Sequence, residues 1–256
     1  MIWNFGIKRL IFYRHFKVIL ITLSVFCFLL LIAFYSTKNS LKYRYGDIDG
    51  DGIANMDDND VDGDGRINVW DKDADGDGVE NIKDALDGAR KLIGRPYDQL
   101  MGGLNNIGWK LGGIVCIDVI NLAFEKAGVY FEKELRDCYK KTPWYFSEKR
   151  WNNPWDKNFA RRVKNFRAYC RAKGYILKQG KKIKPGDIVM FGTGHIALVE
   201  SVEKDDFTVI ESAGKRIITM RAKKTGLYKR NVERYGEAVF ARISFKKKLH
   251  YYKRKN

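Results

Sequence analysis

Between residues 47 and 84 the chain repeats one pattern three times with a period of 13. The copies are DIDGDGIANMDD from Asp47, DVDGDGRINVWD from Asp60 and DADGDGVENIKD from Asp73, each reading D-x-D-G-D-G-x-x-N-x-x-D. Fourteen acids in 38 residues repel one another unless a counter-charge gathers them. Carboxylates at positions 1, 3 and 5 can converge on one centre, glycine at position 6 permits the sharp turn, position 7 offers a carbonyl, and position 12 closes an oxygen shell around a hard cation. The expected ligands are Asp47, Asp49, Asp51, Asn55 and Asp58 in the first copy, then Asp60, Asp62, Asp64, Asn68 and Asp71, and finally Asp73, Asp75, Asp77, Asn81 and Asp84. The alternative, a disordered acidic linker, does not require three copies of a ligand pattern. The cation expected is calcium, in a structural role.

The repeat divides the chain by charge. Residues 1–46 carry seven Lys/Arg and no acid, residues 47–84 carry 14 acids against three bases, and residues 85–256 carry 38 bases against 17 acids. Three such balances point to three functional pieces. Within the first, Val18 to Thr37 is an uncharged run of 20 residues. As a helix it spans about 30 Å, the thickness of a bilayer's hydrocarbon core. Ala33-Phe34-Tyr35-Ser36 makes a poor signal-peptidase site, so the reading favours an uncleaved anchor. Residues 1–17 are then a cytoplasmic basic segment and 18–37 a single-pass transmembrane helix. Sites built for calcium belong where calcium is plentiful, which places the remainder outside the cell membrane.

The third piece reads as α+β, with helices before strands and an antiparallel sheet expected over 85–245. A helix pattern runs from Asp84 to Gly94. Cys116 opens CIDVINLAFEKAG at helical spacing, after the Gly-rich stretch 102–113. A basic helix is expected over 156–173, and the strand-like runs are DIVMF, HIALVESV, FTVIES, RIITM and AVFARISF. The chain lacks H-E-x-x-H, G-x-x-x-x-G-K-[ST] and G-x-S-x-G, and of its three histidines only His195 falls in a region that reads as folded. A thiol at a helix N-terminus is favoured as thiolate, and a histidine beside it makes it a nucleophile. Cys116 and His195 are the residues so placed.

Two resemblances sharpen this reading. The acidic copies resemble thrombospondin type-3 calcium repeats, which implies calcium held along an extended connector. IGRPYDQLMGG at 93–103 resembles the opening of NlpC-type cell-wall cysteine peptidases. KPGDIVMFGTGHIALVESVEKDDFTVIESAG at 184–214 resembles both that family and the CHAP amidase/peptidase family. These families share a papain-like fold. The resemblance implies Cys116 as nucleophile, His195 as general base, Glu211 as the group orienting the histidine, and Tyr97 as a substrate-side residue near the nucleophile. The chain departs from the NlpC pattern D-C-S-G, reading Val115-Cys116-Ile117-Asp118. VCIDV and Arg161-Arg162-Val163-Lys164-Asn165 are similar instead to a bacterial family of unknown function.

The expectation is a membrane-anchored extracytoplasmic cysteine hydrolase that cleaves amide bonds in peptidoglycan peptides through a thioester and needs no catalytic cofactor. Its partners would be peptidoglycan and anionic wall polymers, with no nucleic acid. The alternative is a non-catalytic, calcium-dependent wall-binding or adhesion protein on the same fold. The aromatic residues of 139–159 fit either a sugar-stacking groove or a core. Asp118 is read as structural, the pairing of Cys138 with Cys170 stays open, and 246–256 is a basic tail.

Overall fold

The structure, a computed structural model, describes residues 17–28, 43–98, 113–147, 152–204, 206–213, 216–221 and 227–245. Residues 1–40 and 41–256 form two separate units. In the first, residues 17–28 are helical and exposed, while 29–37 of the uncharged run lie outside the described residues. No helix among the described residues is long and apolar enough to cross a membrane. The Gly-rich stretch up to residue 112 and the basic tail 246–256 also lie outside them.

The second unit is α+β. Its helices are α1 (Asn81–Lys91), α2 (Cys116–Glu125), α3 (Phe131–Lys141), α4 (Val163–Ala172) and α5 (Leu227–Tyr235). Its strands are β1 (Ile188–Phe191), β2 (His195–Glu203), β3 (Asp206–Ala213), β4 (Arg216–Arg221) and β5 (Ala238–Ala241). They form one antiparallel sheet in the order β4-β3-β2-β1-β5. All five strand-like runs of the sequence appear in it. The basic helix begins only at Val163, because residues 152–162 form successive turns around Pro154.

Strand alternation gives the sheet two apolar faces. Ile188, Met190, Ile196, Leu198 and Ile210 join the larger core with Ile117, Ile120 and Phe124 of α2. Val189, Phe191, Ala197, Val199, Phe207 and Val209 form a smaller core, against which Tyr228, Val232 and Tyr235 of α5 pack. Each Val, Ile, Leu, Met or Phe fully buried among them is worth about 1.5–3 kcal/mol. Two helices therefore clamp the sheet, and the nucleophile candidate opens one of them.

The acidic repeat departs from the extended connector expected of it. Val69 and Ala74 belong to the larger core, and Arg44, just before the first copy, forms a buried ion pair with Glu132 and lies 3.6 Å from Glu125. The Tyr130 hydroxyl donates to the Tyr43 carbonyl at 2.5 Å. The repeat is folded against α2 and α3. The physical reason lies in its non-ligand positions, where Val61, Val69 and Ala74 supply an apolar side for the domain to cover.

The aromatic run of 139–159 is chiefly core. Tyr139, Phe146 and Phe159 pack with ring centroids 5.4–5.8 Å apart, whereas Trp144 and Trp155 are exposed and Trp151 lies outside the described residues. Cys138 and Cys170 are free, buried thiols.

Candidate active site and cation sites

Cys116 is the first residue of α2, with Val115 as its N-cap in extended conformation. The Val115 N–H donates to Asp118 Oδ2 at 2.9 Å, so Asp118 folds back to hold the helix start. Arg161 Nε donates to Asp118 Oδ1 at 2.9 Å, and Arg161 reaches Asp98 Oδ2 at 3.4 Å. Asp118 and Asp98 are almost wholly buried. This paired network fixes where α2 begins and hence where the thiol points.

His195 opens β2, opposite Phe191 across the β1–β2 hairpin. Leu198 pairs with Ile210, so the register sets Glu211 diagonally from His195 on the same face of the sheet. His195 Nε2 lies 2.7 Å from Glu211 Oε2. Cys116 is the other side chain whose nearness raises the His195 pKa. The structure therefore brings together the three residues expected to act together, from α2, β2 and β3.

The electrostatics favour a charged ring. Glu211 is 1% exposed and its Oε1 is buried with no hydrogen-bond partner, so its charge has little besides His195 to answer it. Burial alone would lower the His195 pKa. Hydrogen bonds and charge from Cys116 and Glu211 outweigh that and raise it to about 9. Near neutral pH the arrangement is that of an imidazolium between two anion-forming groups.

Tyr97 also lies at the site. It forms a parallel bridge with Ile114, and the Asp98 N–H donates to the Ile114 carbonyl at 3.2 Å, which brings residues 97 and 98 beside the start of α2. Burial, and then Cys116, raise the Tyr97 phenol pKa.

Sequence reasoning did not single out Tyr235, the last residue of α5. Its ring lies 5.4 Å from the His195 ring at 22°, and Phe191 lies 5.9 Å away at 25°, so aromatic faces support the imidazolium. The signal was the Gly-Thr-Gly before His195. A Cβ on Gly192 (φ +54°) would fall 1.7 Å from the Tyr235 carbonyl oxygen, and one on Gly194 would fall 2.7 Å from Tyr235 Cδ1. Arg167 Nη1 ties this hairpin to α4 by donating to the Gly192 carbonyl at 2.7 Å. Gly192→Ala is therefore expected to displace Tyr235, lowering the thermal midpoint by several degrees and weakening His195 support. An unchanged melting curve in differential scanning calorimetry would contradict this packing.

The repeats form three acidic clusters among the described residues: Asp47, Asp49 and Asp51; Asp60, Asp62 and Asp64; Asp73, Asp75 and Asp77. Their local geometry recurs. The N–H of Gly52, Gly65 or Gly78 donates to position 1 of its copy at 2.9–3.0 Å. These glycines sit at φ +86° to +89°, where a side chain is strained.

Position 9 differs from expectation. Asn55, Asn68 and Asn81 spend both ends of the amide on backbone. Each Oδ1 accepts the N–H of position 2, and each Nδ2 donates to a preceding carbonyl, that of Tyr43, Asp58 or Asp71. These residues staple the copies together in place of ligating, because at that register the amide meets backbone and not the acidic centre. The carboxylates fit a hard divalent cation: Asp58 Oδ2, Asp60 Oδ1, Asp71 Oδ2, Asp73 Oδ1, Asp75 Oδ1 and Asp84 Oδ2 are buried oxygens without hydrogen-bond partners. Asp75 is pushed up to about 6 by burial and by Asp77, Asp84 and Asp73.

Residues 109–228 match a protein family described only as a domain of unknown function, DUF1287. No curated protein and no solved structure matches the chain.

Proposed function

We propose that the chain is a cysteine hydrolase of papain-like fold, held at the outer face of the cell membrane, that cleaves amide bonds in peptidoglycan peptides. The reading is carried by one observation: the Cys116 thiol at a helix start, near enough to His195 to raise its pKa, with Nε2 of that histidine held 2.7 Å from a buried carboxylate. A binding surface has no need of that arrangement.

In the proposed reaction His195 already carries the proton shared by the Cys116–His195 pair, and Cys116 attacks the amide carbonyl as the thiolate. Backbone N–H groups at the start of α2 stabilise the oxyanion. As the intermediate collapses, His195 gives its proton to the leaving amine and a thioester to Cys116 remains. Water, deprotonated by His195, then releases the acid and restores the thiol. Glu211 orients the ring and favours its charged form throughout. Calcium, held by the carboxylates of the three repeats, gives the domain's flank its counter-charge and takes no part in the chemistry. The resemblances to NlpC and CHAP enzymes supply the substrate class, and the basic balance of residues 85–256 suits an anionic wall.

The anchor is the uncharged run 18–37. The full-length protein is expected to sediment with membranes and to resist carbonate extraction; a mature N-terminus within 36–45 would contradict this. Digestion of purified peptidoglycan by the full-length protein in detergent, with products read by mass spectrometry, tests the substrate. New amine and carboxyl termini within the stem peptide, or between it and the sugar, are expected. An unaltered fragment pattern would overturn the hydrolase reading.

A further inference from the structure

One carboxylate joins the third acidic repeat to the helix that carries the thiol. Asp84 is position 12 of that repeat and lies in the first turn of α1. Its Oδ1 accepts a hydrogen bond from Lys126 Nζ at 2.9 Å, and Lys126 is the residue at which α2 ends. Its Oδ2 is buried without a hydrogen-bond partner, in a residue only 3% exposed, and its charge acts on Asp75 of the acidic cluster. The corresponding residues of the other copies do not reach α2 in this way: Asp58 and Asp71 accept the N–H of Asp60 and Asp73 inside the repeat.

Two close backbone approaches strengthen the connection. A Cβ on Gly88 of α1 would lie 3.0 Å from the Ala123 carbonyl oxygen of α2. One on Gly128, just past α2, would lie 2.8 Å from the carbonyl oxygen of Ala74 in the third repeat. The end of α2 opposite Cys116 is thus seated on the third repeat and on the helix that repeat starts.

We propose that filling the third repeat's carboxylate shell with calcium sets the order of α2, making the Cys116 site competent only where calcium is abundant. This rests on the calcium reading above. Without a cation, Asp73, Asp75, Asp77 and Asp84 repel, and the first turn of α1 is where they can separate. A bound cation draws Asp84 Oδ2 inward while Oδ1 keeps Lys126, fixing α1 against α2. Because the ion favours the ordered arrangement, that arrangement also binds the ion more tightly. A chain awaiting export, in low calcium, would hold its nucleophile helix loosely.

Hydrogen–deuterium exchange on the full-length protein in detergent, with millimolar calcium or with chelator, tests the link. Calcium is expected to slow exchange about tenfold or more both in 73–91 and in 116–125. Asp49→Asn with Asp51→Asn should leave the response of 116–125 in place, whereas Asp75→Asn with Asp77→Asn should remove it. Lys126→Met should keep protection in 73–84 and diminish it in 116–125. Protection of 73–84 by calcium in the parent protein, with 116–125 unchanged, would overturn the link alone. Absence of protection anywhere in 47–84 would overturn the calcium reading and the link with it.

Discussion

Cys116→Ala and His195→Ala are each expected to lower the rate of amide hydrolysis on the order of 10^4-fold or more, and the double variant to be scarcely worse than either. In the proposed reaction the thiol and imidazole work as one unit: without the ring the thiol has no partner for its proton, and without the sulfur the ring has nothing to activate. Initial rates on a soluble peptidoglycan fragment, with folding checked by circular dichroism, measure this. Additive losses would mean that the two residues act in separate steps. Cys138→Ala and Cys170→Ala should remain active, since both thiols are buried and their pKa values are raised by that burial.

The second large effect is on pH dependence. With His195 raised to about 9, kcat/KM should hold through neutral pH and fall on an alkaline limb near 9, a value that belongs to the Cys116–His195 pair. Since the folded-state value is raised, the stabilisation from the charged ring is complete below the ordinary 6.5 and is lost as pH rises through about 9. Glu211 is one of the two groups raising it, so Glu211→Gln should move the alkaline limb down by about one pH unit while retaining part of the activity. A limb that stays near 9 in Glu211→Gln would show that the carboxylate does not govern the ring's charge.

The elements that set this site differ in how plainly the sequence displays them. Four of the five strands carry adjacent β-branched or aromatic residues, β2 carries the apolar run Ile196–Val199, and α2 carries an apolar stripe ending at Gly128, so their patterns stand out. Helices α3 and α5 are short and dense in charge. Their inward residues, Phe131, Leu135 and Cys138 in one and Tyr228, Val232 and Tyr235 in the other, keep helical spacing but are outnumbered by Lys, Arg and Glu.

The same holds for the site itself. Cys116 and His195 were legible from position at a helix start and a strand start, and Glu211 from its resemblance to a known pattern. Tyr235 was not singled out, because it meets His195 beside glycines 41 and 43 residues earlier; the Gly-Thr-Gly marks a close approach without saying which residue makes it. The position-9 asparagines misled for a related reason. Spacing shows which residues recur, but whether an amide faces a cation or a backbone carbonyl depends on how successive copies stack. The repeat as a whole was expected to extend, and what folds it back is the apolar set Val61, Val69 and Ala74, three residues among fourteen acids.

The proposal to be tested is that His195 and Glu211 activate Cys116 as a nucleophile. Its most direct test is the site-resolved rate of alkylation by iodoacetamide at pH 7 in millimolar calcium, read by peptide mass spectrometry. Cys116 should react at least about tenfold faster than glutathione under the same conditions. Cys138 and Cys170 should stay unmodified, and His195→Ala should slow Cys116 to the pace of an ordinary thiol. A Cys116 that reacts no faster than glutathione, or whose rate is indifferent to His195→Ala, would contradict the account.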